Sequence, residues 1–120
     1  MGRALRGFPA VRLAYVYGSS LTRKDFRDVD VALCLRRNDA RIDSIGFRLK
    51  VAAFLGRRFA QEFDVHLLRE MPLAVQHRAL ATGRCIMRRS DIERTRYEAG
   101  VLNEFLDFKP THDYLIGQSL

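Results

Sequence analysis

Residues 11–35, VRLAYVYGSSLTRKDFRDVDVALCL, decide the fold. The first seven, Val11–Tyr17, are mostly β-branched, aromatic or aliphatic and stop at Gly18-Ser19-Ser20. That pattern predicts a largely buried strand running into a turn. Residues 18–27, GSSLTRKDFR, are polar, basic and led by glycine, and read as a loop or short helix. Over Asp28–Leu35 the alternation is strict: Val29, Val31, Leu33 and Leu35 point one way, Asp28, Asp30, Ala32 and Cys34 the other. A period of two marks a second strand, with one apolar and one mixed face.

Downstream, Asp39 or Asp43 can cap a helix reaching about Phe59, with Ile42, Ile45, Leu49, Ala52 and Phe59 as its apolar stripe and arginines opposite. Residues 62–68, EFDVHLL, alternate again as a third strand, with Phe63, Val65 and Leu67 opposite Glu62, Asp64 and His66. Pro72 suits the first turn of a helix that ends before Gly83. Arg84–Arg88 is a short fourth strand, and Ser90 or Asp91 caps a last helix to about Asp107, leaving 108–120 as a tail. The order β, loop, β, α, β, α, β, α gives a mixed α/β (α+β) sandwich: one domain over 1–120, with its core in 11–107, a short mixed sheet and helices packed on one face.

The chain has 120 residues, one domain's worth. With 48% hydrophobic and 29% charged residues it forms a core, which excludes a disordered segment. The net charge is +7, carried by 18 Arg against 3 Lys. Residues 1–60 hold 13 basic and 5 acidic groups, the rest 8 and 9, so any anion site is expected in the first half. Guanidinium forks suit phosphate or carboxylate, although codon bias explains an arginine excess equally well. The longest apolar runs have five residues, so no membrane span or signal sequence is read and a cytoplasmic protein is expected. Cys34 and Cys85 lack CxxC spacing and read as free thiols, and His66, His77 and His112 show no metal-ligand spacing.

Asp28 and Asp30 carry the chemistry. An i, i+2 pair on a strand places both carboxylates on one face, roughly 6–7 Å apart at Cα. Two such charges repel unless a cation lies between them or one is protonated. Mg²⁺ bridging the carboxylates and a substrate's phosphates removes the repulsion. Asp64, early in a neighbouring strand, joins the same face if the strands are adjacent, and three carboxylates suit two-metal catalysis. A lone Asp-x-Asp is as readily two solvated aspartates at a strand start. Its context raises its meaning: Gly18 lets backbone amides approach a phosphate, Ser19 and Ser20 add donors, and Arg23 and Lys24 add positive charge. No GxxxxGK[ST] or GxGxxG occurs.

The stretch YVYGSSLTRKDFRDVDVAL resembles the signature of the minimal nucleotidyltransferases of the DNA polymerase β-like superfamily: strand, Gly-Ser, loop, Asp-x-Asp. EFDVHLL matches the place of the family's third aspartate, and MPLAVQHRALATGRCIMRRSD and RYEAGVLNEFLDFKP resemble its later helix, Gly-led strand and final helix. The loop between Gly-Ser and Asp-x-Asp, Ser20 to Arg27, is shorter than the family's usual one and lacks its internal glycine. The resemblance implies a polymerase β-like fold and a two-metal Mg²⁺ site on Asp28, Asp30 and Asp64. ATP would be the substrate, its phosphates held by Gly18 and Ser19. It also implies an antitoxin that transfers AMP to a tyrosine of a small helical HEPN-type ribonuclease toxin, as in a type VII-like toxin–antitoxin pair, in a hetero-oligomer with the toxin or also as a homodimer. Two other functions are weighed beside it: neutralisation of the toxin by contact alone, and nucleotidyl transfer to a small molecule.

His66 shares a face with Asp64 and reads as a half-exposed strand histidine or as an aid to proton removal. Arg84, Arg88, Arg89, Arg94 and Arg96 form a basic patch that could meet nucleotide, RNA or an acidic partner, with a solvated face as the default. No nucleic-acid-binding module is recognisable, so direct binding of nucleic acid is not expected. The Phe-rich end of the last helix and the tail are candidates for a partner interface or for closing the core.

Overall fold

The computed structural model describes residues 1–18, 28–36 and 43–119, with backbone alone for 108–119. Val11–Tyr17 forms β1, flanked antiparallel by β2 (Asp28–Leu35) and β4 (Arg84–Arg88). Strand β3 (Glu62–Leu67) adds to β2 in parallel, giving the order β3-β2-β1-β4. The parallel pair needs a crossover, and helix α2 (Ser44–Phe59) supplies it. A four-residue helix α1 (Gly2–Leu5) precedes β1, α3 (Leu73–Thr82) joins β3 to β4, and α4 (Asp91–Ser119) ends the chain.

The alternation in β2 builds two cores. Val29, Val31 and Leu33 join Leu5, Val51, Leu55, Val65 and Leu67 on one face. Ala32 joins Leu13, Tyr15, Leu68 and Ala79 on the other, with Cys34 and Tyr97 packed alongside. A register shift between Val11 and Leu13 returns Val11 to the face of Ala14 and Val16. The short mixed sheet is as expected, but the helices are not confined to one face. Residues of α1 and α2 enter the first core and residues of α3 and α4 the second, because both faces of β1 are apolar and each needs a cover.

The stripe of α2 also differs from the one read in the sequence. Val51 and Leu55 are fully buried, with Phe47, Ala52 and Phe54 packed against the core, whereas Ile45 and Leu49 are about two-thirds exposed, at 63% and 65%, and Phe59 is exposed as well. Phe8, ahead of β1, decides the rotation: its ring meets Phe47 and Phe54 edge-on at 6.1 and 5.3 Å between centroids. Asp43 is the N-cap residue of α2, while Asp39 and Ile42 lie outside the described residues. Pro72 sits one position earlier than expected, at the N-cap of α3.

At α4, Ser90 is the cap: its Oγ accepts the amide of Glu93 at 3.3 Å. Asp91 instead pairs with Arg88. The backbone of α4 stays helical to Ser119, so 108–119 continues the helix where the sequence suggested a separate tail. No helix among the described residues is long and apolar enough to cross a membrane.

Candidate active site

The parallel register places Asp30 beside Asp64 and Ala32 beside His66, while the antiparallel register on the other flank places Tyr17 beside Asp30. Side chains at paired positions share a face, so Tyr17, Asp30 and Asp64 form a row across three strands, with Asp28 and His66 two residues to either side along β2 and β3. Ligand atoms of Asp30, Asp64 and His66 all lie within 4.8 Å of one another. His66 Nε2 is 3.0 Å from Asp64 Oδ2.

Electrostatics follow from this crowding. Partial burial holds the Asp30 carboxyl above the usual carboxylate range, and the negative charges of Asp64 and Asp28 push it further, while His66 pulls it back. Burial likewise pushes the Tyr17 phenol up to about 12, with Asp30 and Asp64 adding to the shift. Three carboxylates focused on one rim constitute a field that a divalent cation relieves, and carboxylate oxygens with an imidazole nitrogen are a competent donor set.

Gly18 closes the row. Its φ is +77°, and a Cβ there would lie 2.9 Å from Asp30 Oδ2. Glycine is thus needed for the backbone turn and for the room beside the Asp30 carboxylate. Asp28 is exposed at the rim and, with Asp64, Leu49, Ala52, Gly56 and Phe63, lines a cleft of about 510 Å³ between α2 and β3.

Of the residues singled out in the sequence, Gly18, Asp28, Asp30 and Asp64 are therefore gathered at one end of the sheet. Ser19, Ser20, Arg23 and Lys24 lie outside the described residues. His66 joins the acids through Asp64. Tyr17 was missed, although its signal was present: it has the same parity as Tyr15 on β1, at the end of the strand that faces the Asp-x-Asp. The arginine patch is largely occupied with structure. Arg88 pairs with Asp91, Arg94 Nε donates to Glu98 at 2.9 Å, and Arg89 donates to the carbonyls of Val11, Phe8 and Arg6 at 2.8, 3.0 and 3.2 Å.

A mixed four-stranded sheet that presents a glycine turn after its first strand, two acids on its second and one on its third defines a nucleotidyltransferase of the polymerase β type. Residues 3–92 match the family described as Polymerase beta, Nucleotidyltransferase, and the chain belongs to that family. Among solved structures, the fold is similar to that of a chain in a crystal structure of a mutant MntA-HpeT toxin–antitoxin. There the TM-score is 0.78 at 15% identity, covering 98% of this chain and 93% of that one. A toxin–antitoxin structure with AMP-PNP gives 0.77 at 18% identity, with coverage of 98% and 93%. A tri-AMPylated Shewanella oneidensis HEPN toxin in complex with its MNT antitoxin gives 0.74 at 17%, with coverage of 98% and 90%. A search among curated proteins finds no significant match.

Proposed function

We propose that this protein is a Mg²⁺-dependent nucleotidyltransferase that transfers AMP from ATP to a tyrosine of a HEPN-type ribonuclease, and that it thereby acts as the antitoxin of a cytoplasmic toxin–antitoxin pair. The observation that carries the reading is the placement of Asp30 beside Asp64 next to Gly18. Support for the acceptor comes from the similar structures, one of which pairs an MNT antitoxin with a tri-AMPylated HEPN toxin.

The donor set fits a divalent ion, because the charges of Asp64 and Asp28, which add to burial in raising Asp30, exert a repulsion that a cation removes. Asp28, Asp30 and Asp64 would hold it; when bound, it supplies charge stabilisation to the attacking and leaving oxygens of an in-line displacement. Gly18, with no side chain to displace the Asp30 carboxylate, would let the incoming phosphates approach the backbone. Asp64, more exposed than Asp30 and at the edge of the row, would accept the proton of the acceptor hydroxyl as its oxygen attacks the α-phosphorus and pyrophosphate leaves. The cleft between α2 and β3 opens at Asp28 and Asp64 and offers an apolar wall to an aromatic acceptor.

The test incubates the protein with a HEPN-type ribonuclease, ATP and Mg²⁺, and weighs the ribonuclease by mass spectrometry. One or more AMP increments are expected, and none with the Asp28→Asn/Asp30→Asn variant. An unmodified ribonuclease at every ratio of the two proteins rejects AMP transfer. Full protection of cells by the double variant would assign neutralisation to contact alone.

A further inference from the structure

The apolar stripe of α2 that stays out of the core runs to the acids. Ile45 and Leu49 stand one turn apart, both more than half exposed, and Ala52 and Gly56 carry the line into the cleft whose rim holds Asp28 and Asp64. We infer that this cleft seats the stretch of partner protein around the acceptor tyrosine. It selects a stretch in which an apolar side chain and a lysine or arginine flank that tyrosine, with the cation meeting Glu62. The inference rests on reading the acidic row as the site of AMP transfer, and adds the acceptor sequence which that site would take.

Shape supports it first. Exposed apolar residues scattered singly need no explanation, but these adjoin one another and a cleft. On the helix wall Ala52, Ala53 and Gly56 have little or no side chain, which leaves depth, while Phe63 stands on the strand side with its ring 6.2 Å from that of Phe59. About 510 Å³ suits the side chains of a short segment, not a folded domain.

Charge then sets the choice of segment. Glu62 pairs in register with Asp28 and precedes Asp64 by two residues on β3, roughly 6–7 Å away at Cα. The ligand atoms that gather within 4.8 Å belong to Asp30, Asp64 and His66, and Glu62 is not among them. Among the described residues Glu62 also makes no ion pair. Helix α2 carries Arg48, Lys50, Arg57 and Arg58, but none of them lines the cleft. The cleft therefore keeps a negative charge when an ion occupies the acids, on a protein whose net charge is +7. Complementary charge of this kind chooses a partner and fixes its register. The step from Asp64 to Glu62 equals two residues of an extended segment, so the matching cation lies about two residues from the tyrosine.

The experiment titrates the full chain, with Mg²⁺ and without ATP, into short dye-labelled peptides in a Gly-Ser frame and reads fluorescence anisotropy. The probe has the centre Lys-Leu-Tyr-Leu-Lys, symmetric so that it fits in either direction. Its controls are Glu-Leu-Tyr-Leu-Glu and Lys-Ser-Tyr-Ser-Lys. The probe should bind at least about fivefold more tightly than either control. The overall charge of +7 favours the acidic control, so a preference for lysine reports a local negative charge. Glu62→Gln should shrink that preference to within about twofold, and Glu62→Lys should invert it. Leu49→Ser, at an exposed position, should remove the preference for leucine and keep that for lysine. Equal affinities, no binding of any peptide, or a lysine preference that survives Glu62→Gln overturns the proposal. AMP transfer to a HEPN-type ribonuclease whose KM is unchanged by both Glu62→Lys and Leu49→Ser also removes the docking site, while transfer stands. Selective peptide binding with no AMP on either peptide or ribonuclease has the opposite meaning: the docking site stands and the transferase reading falls.

Discussion

A methyl group at residue 18 would meet Asp30 Oδ2 at 2.9 Å on a backbone already in the left-handed region. The backbone alone costs an L-residue about 1–2 kcal/mol, and the close approach adds displacement of a carboxylate that belongs to the site. Gly18→Ala is therefore expected to lower stability by about 1–2 kcal/mol and to weaken metal binding. In an Asp30→Ala background the steric part of that loss should disappear, and denaturant melts of the four proteins read the coupling directly. Asp30 itself is held against burial and two like charges, so Asp30→Asn should raise the melting temperature of the metal-free protein at neutral pH while abolishing metal binding. An unchanged or lower melting temperature would mean that the carboxylate is already relieved by other contacts. Burial sets the behaviour of Cys34 as well, pushing its thiol up to about 11. It stays neutral through physiological pH, so in a Cys85→Ser background iodoacetamide should label it slowly at pH 8. The rate should then climb about tenfold per pH unit toward 11. Mass spectrometry of timed samples measures it, and a plateau near pH 9 would contradict the buried environment.

Helix α2 shows what a sequence can and cannot tell about an element. Its existence and its end near Phe59 were legible, and its start was narrowed to a cap at Asp39 or Asp43, of which Asp43 is the N-cap residue. Its rotation was not, because Ile45, Leu49 and Phe59 form as good a stripe as Phe47, Val51 and Leu55. The choice was made by Phe8, some forty residues earlier, whose ring packs on Phe47 and Phe54. Leu55→Ala should cost about 2–5 kcal/mol, and Leu49→Ala should change stability by no more than about 0.5 kcal/mol. Urea melts that ranked these two in the other order would restore the sequence-derived stripe. The arginines in and after β4 teach the same lesson. Five cations in thirteen residues look like a ligand patch, but Arg89 alone satisfies three carbonyls of the segment entering β1. Arg89→Ala is expected to cost about 1–3 kcal/mol and to speed amide exchange at residues 6–11 ahead of the rest of the sheet. Uniform exchange along β1 would show that the clamp is dispensable.

At the scale of the molecule, the acidic row was readable because strand parity is local: Asp28 and Asp30 share a face in any strand that contains them. Bringing Asp64 to Asp30 required the parallel pairing of β2 with β3, which strand order alone determines. The placing of His66 depends on that same pairing, and that of Tyr17 on the antiparallel pairing of β1 with β2. The positive charge concentrated in residues 1–60 takes its meaning here too, since the half of the chain with the excess also supplies Gly18, Asp28 and Asp30.

The same pairing restricts how this protein can lose its chemistry. In β3, Val65 and Leu67 are buried on the face opposite Asp64 and His66. A one-residue slip of the strand would turn the acids inward and the core outward together. A slip of that size therefore cannot misalign the site while the fold persists. Replacing the site's side chains can silence it without that penalty, and a lineage that did so would keep an intact sheet.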